Sequence, residues 1–352
     1  MSKITNILFT LIRQYWKYKN SDIIIRLSIA AMFIGLSLAM GSGIWLSMIA
    51  LNMEGVPAEF VFEPNQFAGL GALIIVIGLS LGIVRAKDLS QKLTGILLFH
   101  RGMEGMNTAS VKKSLPKSFS QGKLTVIDIN EGHQLYEGKV FHPEYALEAV
   151  SNIQQLIKSS LSGCDQNDIK LAYAGLAPIP ILVAAGYKVT SRQECMVLDY
   201  NRAEGWHALN DIDDMEKASI RVPRGEVSDK VAVTISQSVG IALNQLSDEL
   251  KDVAYEVSLE NGARRDSLNS IDKQNRISEE IYNLLANLPI RHPDLEEIHI
   301  YMGVQASFAF KIGTMITSSV MKSISVYQYE PIKSQYSWGV CFSQGKKPFI
   351  VK

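Results

Sequence analysis

At three places in this chain, hydroxyl, amide or small residues stand where an apolar strand-like run ends. Ser236-Gln237-Ser238 follows Val231-Ala-Val-Thr-Ile235, and Gln305-Ala-Ser307-Phe308 follows Ile298-His-Ile-Tyr-Met302. Ala174-Gly175-Leu-Ala-Pro178 follows Ile169-Lys-Leu-Ala-Tyr173. Exposed N–H groups at a helix start, with hydroxyls beside them, hold phosphate. Small residues such as Gly175 admit a ligand close to the backbone. The same residues have plain structural uses. Ser ahead of a helix satisfies orphan N–H groups, and small residues let strand and helix pack tightly. Both readings stand for each turn. Asp128 and Asn130 close the run Leu124–Ile129 and fit either a base edge, a ribose or a turn. Trp206 and Trp338 fit either base stacking or hairpin core. Arg202, Arg221, Arg224, Arg264 and Arg265 fall in loops, where they serve either phosphate or solvent.

These residues do not assemble into a catalytic motif. The sequence has no G-x-x-x-x-G-K-[ST], no G-x-G-x-x-G after a strand, no zinc-spaced cysteine pair and no H-E-x-x-H. Ser236-Gln-Ser-Val-Gly240 approaches the G-x-S-x-G nucleophile elbow. Its first position is Ser, and the only later histidines, His292 and His299, follow no obviously placed acid. The expectation is a ligand-binding protein without catalytic residues, metal or cofactor. A messenger-degrading ring nuclease or a Ser hydrolase is the alternative.

The elements that must position the turns come as alternating strands and helices, which means mostly parallel sheet covered on both faces. A strand at 124–129 leads into an amphipathic helix after Pro143, a strand at 169–174, a short helix ending near Gly186, a strand at 196–200 and a hairpin partner at 206–209. The pattern restarts with a strand at 231–235. A helix over 237–250, a strand at 254–259 and a helix at 271–288 follow. Then come a strand at 298–302, a helix at 306–316, a strand at 324–329 and a hairpin partner at 336–340. The halves superpose in sequence. Leu171-Ala-Tyr173, Pro178-x-Pro180 and Ala185-Gly186 match Ile298-His-Ile300, Gln305-x-Ser307 and Ile312-Gly313 at one offset, and Val197–Tyr200 matches Val326–Tyr329 with two extra residues inserted. This is an internal repeat of a Rossmann-like unit.

Ile298–Gly313, followed by Val326-Tyr-Gln-Tyr-Glu330 and Tyr336, resembles the C-terminal signature of SAVED domains. Leu176-Ala-Pro-Ile-Pro-Ile181 with Ala184-Ala-Gly186 resembles it in the first half. The family pattern often has Ala-Pro or Pro-Ala where this chain has Gln305-Ala306. The resemblance covers about residues 123–352 and implies two fused CARF-like Rossmann units that bind a cyclic oligonucleotide, a cyclic di-, tri- or tetranucleotide.

The front of the chain has a different character. Leu27–Met53 and Pro64–Val84 carry no charged side chain, and each is long enough to cross a bilayer as a helix. Lys3, Arg13, Lys17, Lys19 and Arg26 precede them, Arg85, Lys87, Lys92 and Arg101 follow, and only Glu54, Glu59 and Glu63 lie between. The bias places both flanks in the cytoplasm and residues 52–66 outside. Residues 1–22 read as an interfacial helix, with Ile4, Leu8, Leu11 and Tyr15 at helical spacing. Gly78 and Gly82, and Ser37 and Gly41, make small-residue faces that serve packing within the hairpin or between protomers. With no ionisable residue inside either run, a proton or coupling-ion path is not expected. The formal net charge of +0 argues against binding DNA or RNA polymers. Cys164, Cys195 and Cys341 are expected as free thiols.

Two spans before a SAVED domain look like the two-transmembrane SAVED effectors of bacterial CBASS anti-phage systems. The resemblance implies a two-pass protein of the bacterial inner membrane that senses a messenger, self-associates and disrupts the lipid bilayer. The fold expected is α/β, with two N-terminal transmembrane helices before a SAVED domain. The expected segments are an amphipathic start at 1–22, a hairpin at 23–85, a linker at 86–122 and two CARF-like halves at 123–225 and 226–352. Candidate ligand-binding residues are Asp128, Asn130, Gly175, Pro178, Arg202, Trp206, Ser236, Gln237, Ser238, Gln305, Ser307 and Phe308.

Overall fold

The computed structural model describes residues 23–40, 68–92, 94–103, 106–120, 123–130, 142–161, 169–189, 194–223, 225, 227–317 and 322–352. It divides into two compact units, 1–92 and 93–352. The expected interfacial helix and the expected external loop lie outside the described residues, as does Cys164.

In the first unit α1 (Ile23–Met40) and α2 (Ala68–Lys92) pack antiparallel. Their contact is made of small residues. A Cβ at Gly35 would lie 2.6 Å from the Gly71 carbonyl oxygen, and one at Gly78 would lie 2.9 Å from that of Ser28. Gly82 faces the Ser28 hydroxyl, which a Cβ there would approach to 3.1 Å. Gly78 and Gly82 therefore belong to the contact within the hairpin. The large side chains point the other way: Leu73, Val76, Ile83 and Val84 are 55–66% exposed. Among the described residues no helix is long and apolar enough to cross a membrane.

The second unit holds two sheets. The first has the order β2-β1-β3-β4-β5, from β1 (Thr94–Arg101), β2 (Lys123–Asn130), β3 (Ile169–Leu176), β4 (Cys195–Asn201) and β5 (Gly205–Ala208). Its first four strands are parallel and β5 returns antiparallel to β4. The helices between them are α3 (Thr108–Ser114), α4 (Lys117–Ser120), α5 (Pro143–Ser151), α6 (Ile153–Ser160) and α7 (Ile179–Val189).

The second sheet repeats the plan. Its strands are β6 (Ala218–Arg221), β7 (Lys230–Ser236), β8 (Ala254–Leu259), β9 (Glu297–Gly303), β10 (Ser323–Glu330), β11 (Gln335–Phe342) and β12 (Phe349–Val351). The order β12-β11-β10-β9-β7-β8-β6 contains β8-β7-β9-β10-β11, the counterpart of β2-β1-β3-β4-β5. β6 and β12 are added edges, antiparallel to their neighbours. Its helices are the four-residue α8 (Asp248–Lys251), α9 (Ile271–Arg291) and α10 (Ala306–Met315).

Two expectations change here. The stretch 86–122 was expected as a linker, yet it supplies β1, the strand on which β2 and β3 both pair. No helix runs over 237–250; a turn, a 3₁₀ turn at Leu243–Gln245 and α8 take its place. The N–H groups of Gln237, Ser238 and Val239 all donate to the Gly303 carbonyl, at 3.1, 2.7 and 3.0 Å, which fixes them on β9 rather than in a helix.

The halves are held together by α7 and α10. α7 is buried from Pro180 to Gly186, the pattern of a helix enclosed on all sides. It crosses α10 where Gly186 meets the Phe310 carbonyl and Gly313 meets the Val183 carbonyl, with no room for a Cβ at either glycine. One apolar cluster runs through this crossing, from Ile96 and Tyr173 in the first sheet to Val233 and Ile300 in the second.

Candidate functional site

The carboxyl ends of parallel strands are where open α/β sheets bind ligands. The repeat places two such edges in one unit. Each first strand is followed by a turn locked to the end of the third. Gly102 donates its N–H to the Leu176 carbonyl at 3.0 Å, as Gln237 does to Gly303.

Gln237, Gln305 and Ser307, which sequence spacing singles out, meet in one buried network. Gln305 Nε2 donates to Asp199 Oδ2 at 2.6 Å and to Asn269 Oδ1 at 2.9 Å. Its Oε1 accepts from Gln237 Nε2 at 3.0 Å and from the Leu268 N–H at 2.8 Å. Gln237 Oε1 accepts from the Gln305 N–H at 3.1 Å and from Ser238 Oγ at 3.0 Å, and its Nε2 also donates to Ser267 Oγ. Ser307 Oγ donates to Asp199 Oδ2 at 2.8 Å and accepts from Gln274 Nε2 at 2.9 Å. A carboxamide has two donors and about two acceptor positions. Both glutamines are saturated, so these residues form a clasp between the halves.

Asp199 is a residue that the sequence reading missed. It is 3% exposed, on β4 of the first half, and serves the start of α10 in the second. In the repeat alignment its counterpart is Gln328 on β10. Gln328 Oε1 accepts the Ile179 N–H at the start of α7, at 3.0 Å. Each half thus secures the helix start of the other. The available signal was that Asp199 is the only charged residue in the strand Cys195–Asn201.

The other candidates are not part of this network. Arg101, which closes β1 and was also missed, pairs with Asp128 through its Nη2 at 2.8 Å and its Nε at 3.2 Å, both groups part-exposed. Asn130 closes β2, beside Arg101 in register. Gly175 is buried at the end of β3, where a Cβ would strike the Tyr173 hydroxyl. Pro178 is buried, and its carbonyl accepts the Ile181 and Leu182 N–H groups, each at 3.0 Å. Ser236 Oγ accepts the Ile241 N–H at 3.0 Å, closing the turn and not capping a helix. Arg202 is exposed at the β4–β5 turn, next to Asn201, whose Nδ2 donates to Asp266 Oδ2 at 2.9 Å; Arg265 is exposed beside that contact. Trp206 is 8% exposed and packs edge-on against Tyr200, while Phe308 is wholly buried, so both are core residues. Arg224 lies outside the described residues.

The loop behind the clasp is fixed by charge. Arg264 donates its backbone N–H to Gln237 O at 2.9 Å, and its guanidinium grips Glu216 at 2.6 and 2.8 Å. Lys273, 2% exposed, bonds Glu216 and Asp214, both at 2.7 Å. Arg264 above all, then Lys273 and the Asn261 N–H, hold the Glu216 carboxyl well below the ordinary glutamate range. The Arg276 guanidinium lowers the Asp213 carboxyl from its ordinary value. Among the described residues no group of His, Cys, Asp and Glu could hold a metal ion.

Fold and site together define a duplicated α/β domain with two strand-end edges closed over a polar clasp. The chain belongs to the SAVED family, described as the "SMODS-associated and fused to various effectors sensor domain", whose profile matches residues 153–342. No curated protein matches the chain. Among solved structures it is similar to the Acinetobacter baumannii Cap4 SAVED/CARF-domain containing receptor with the cyclic trinucleotide 2′3′3′-cAAA. The identity is 11% and the TM-score 0.48, over 84% of this chain and 64% of that one. It is also similar to the Moraxella osloensis Cap4 SAVED/CARF-domain containing receptor, at 10% identity and TM-score 0.43, over 88% of this chain and 63% of that one. This chain therefore spans less than two thirds of those receptors, and the family assignment rests on the sequence match.

Proposed function

We propose that this protein is a membrane-anchored sensor–effector. Its SAVED domain binds a cyclic oligonucleotide without consuming it. Binding makes the domains associate, and the attached hairpins cluster and breach the inner membrane of an infected bacterium. The protein then sits in the membrane with both ends in the cytoplasm.

The observation that carries the reading is the joining, in one chain, of a SAVED sensor domain and a helical hairpin packed inside out. A hairpin that is stable in water buries large side chains and exposes polar ones. Here Gly35, Gly71, Gly78 and Ser28 are buried while Leu and Val side chains face outward. That arrangement suits lipid, where helices meet through small residues, and an exposed apolar patch of this kind needs a cover. The uncharged runs 27–53 and 64–84 also extend beyond the described parts of α1 and α2. For the ligand, the support is family membership together with strand-end turns that come in a repeated pair. Arg101, Arg202 and Arg265 near those ends supply positive charge for phosphates. Association confined to a membrane raises effective concentration, so modest contacts suffice.

The test is full-length protein in dye-loaded vesicles, challenged with a panel of cyclic di-, tri- and tetranucleotides. One member should release dye and be recovered intact by chromatography. Release by none of them, with no rise in the melting midpoint of the protein, sinks the sensor reading. Steady consumption of the ligand moves the protein to the ring-nuclease alternative.

A further inference from the structure

A large cavity in the second unit lies away from the strand-end clasp. It occupies about 970 Å³ between the first residues of β3 and β4 and the α9 and α10 helices, so both halves line it. That size is at the upper end of small-molecule sites, roughly 300–1,000 Å³. Its chemistry is specific. Lys170 enters from the first half and Lys311 from the second. Neither forms an ion pair among the described residues. Burial pushes the Lys311 ammonium below the ordinary lysine value, and no carboxylate holds it up. An ammonium that is part-buried without a counter-charge is stabilised by any anion that reaches it.

The rest of the wall carries one carboxylate, Glu194, which pairs with neither lysine among the described residues; its other groups suit an anion with a flat apolar body. Asn275 and Thr314 offer amide and hydroxyl groups, and Tyr282 and Met315 offer apolar surface. β5 pairs with β4 only from Leu198 to Asn201, so the backbone of Cys195–Val197 is left as a short edge at the cavity. Unpaired strand-edge groups in a cavity are ready partners for a polar ligand.

We propose that this cleft between the halves is a second binding site, for a nucleotide-sized phosphorylated anion held by Lys170 and Lys311. It is separate from the strand-end edges, so its failure leaves the reading of those edges untouched. The edges take the messenger, and the cleft takes a ligand whose phosphates bridge one lysine from each half.

Equilibrium dialysis of full-length protein with radiolabelled ATP tests this, with pyrophosphate and uncharged adenosine as companions. ATP and pyrophosphate should bind and compete, and adenosine should bind at least tenfold more weakly. Lys170→Gln and Lys311→Gln should each weaken ATP binding tenfold or more at an unchanged melting midpoint. Lys311→Arg, which keeps the charge, should bind within about threefold of wild type. Lys347→Gln, at an exposed lysine outside the cleft, should bind as wild type does. The proposal is overturned if ATP and pyrophosphate fail to bind, if both lysine-to-glutamine variants bind normally, or if Lys347→Gln weakens binding equally. Should Lys311→Gln not fold, Lys170→Gln and Lys311→Arg decide alone.

Discussion

Asp199 and Gln328 hold equivalent places in the repeat but differ in charge. The carboxylate faces the start of α10 and the amide faces the start of α7. A negative group is favoured at a helix N-terminus, so the α10 junction is the stronger of the two. Asp199 also accepts its neighbour's backbone N–H, from Tyr200, at 2.8 Å. Asp199→Asn removes one acceptor and leaves a buried donor unmatched, at a cost of about 1–3 kcal/mol. Gln328→Ala removes a single cap-like acceptor, at a cost of about 1 kcal/mol. Urea unfolding should rank them in that order, and the reverse order would show the α7 junction to be the stronger. A second residue-scale effect depends on pH. Unfolded, Glu216 takes its proton near 4.5; folded, it does so only well below that value. The stability it contributes is whole above pH 4.5 and is lost as pH falls from there toward the folded value. Glu216→Gln should therefore be less stable than wild type at neutral pH, with the gap narrowing by about pH 3.5. A constant gap would show that Glu216 is not the titrating group. Residue types at strand ends made Gln237, Gln305 and Ser307 legible. Their roles were not, because whether a carboxamide is free or saturated depends on partners 68 and 106 residues away in the chain.

At the scale of elements, strand–helix alternation, the repeat offset and the hairpin partners were all readable from pattern. Two elements were not. β1 reads Thr-Gly-Ile-Leu-Leu-Phe-His-Arg, a short apolar run directly after the basic end of α2. There, Arg101 looked like one more flanking charge, and only its pairing with β2 and β3 gives the run its meaning. Residues 237–250 have helical periodicity, yet three successive N–H groups are taken by the Gly303 carbonyl, and tertiary bonding overrides propensity. The hairpin was legible as a pair of uncharged runs with small faces, but not in the partner those faces choose. The structure turns Gly78 and Gly82 onto α1. A Cβ at Gly82 would lie 3.6 Å from Ser28 Cβ, within the span a disulfide bridges. In a background without the native cysteines, Ser28→Cys/Gly82→Cys should therefore cross-link within one chain on mild oxidation. Adding Gly78→Leu, which forces the helices apart, should abolish that bridge. Cross-linking only between chains would return the glycine face to the contact between protomers.

At the scale of the molecule, the two halves are joined by reciprocal contacts. β4 secures α10, β10 secures α7, and the two helices cross at equivalent glycines. The core is continuous through that crossing. If a ligand binds at a strand-end edge, as proposed, these contacts give it a route from one half to the other. The glycines give the sharpest test of this coupling. On an exposed helix, Gly→Ala stabilises by about 1 kcal/mol through propensity alone. At Gly186 the added methyl would sit on the Phe310 carbonyl, and at Gly313 on that of Val183. Overpacking costs about 1–3 kcal/mol, so the sign reverses. Gly186→Ala and Gly313→Ala should each lower the melting midpoint, and by similar amounts, because the two positions are equivalent about the crossing. The double variant should fall short of the sum, since the first substitution already separates the helices and relieves the second. Calorimetry of the full-length protein in detergent reads all three values. A raised midpoint in either single variant would mean that the helices pass more loosely than the glycines imply, and the halves would then be free to move apart on their own.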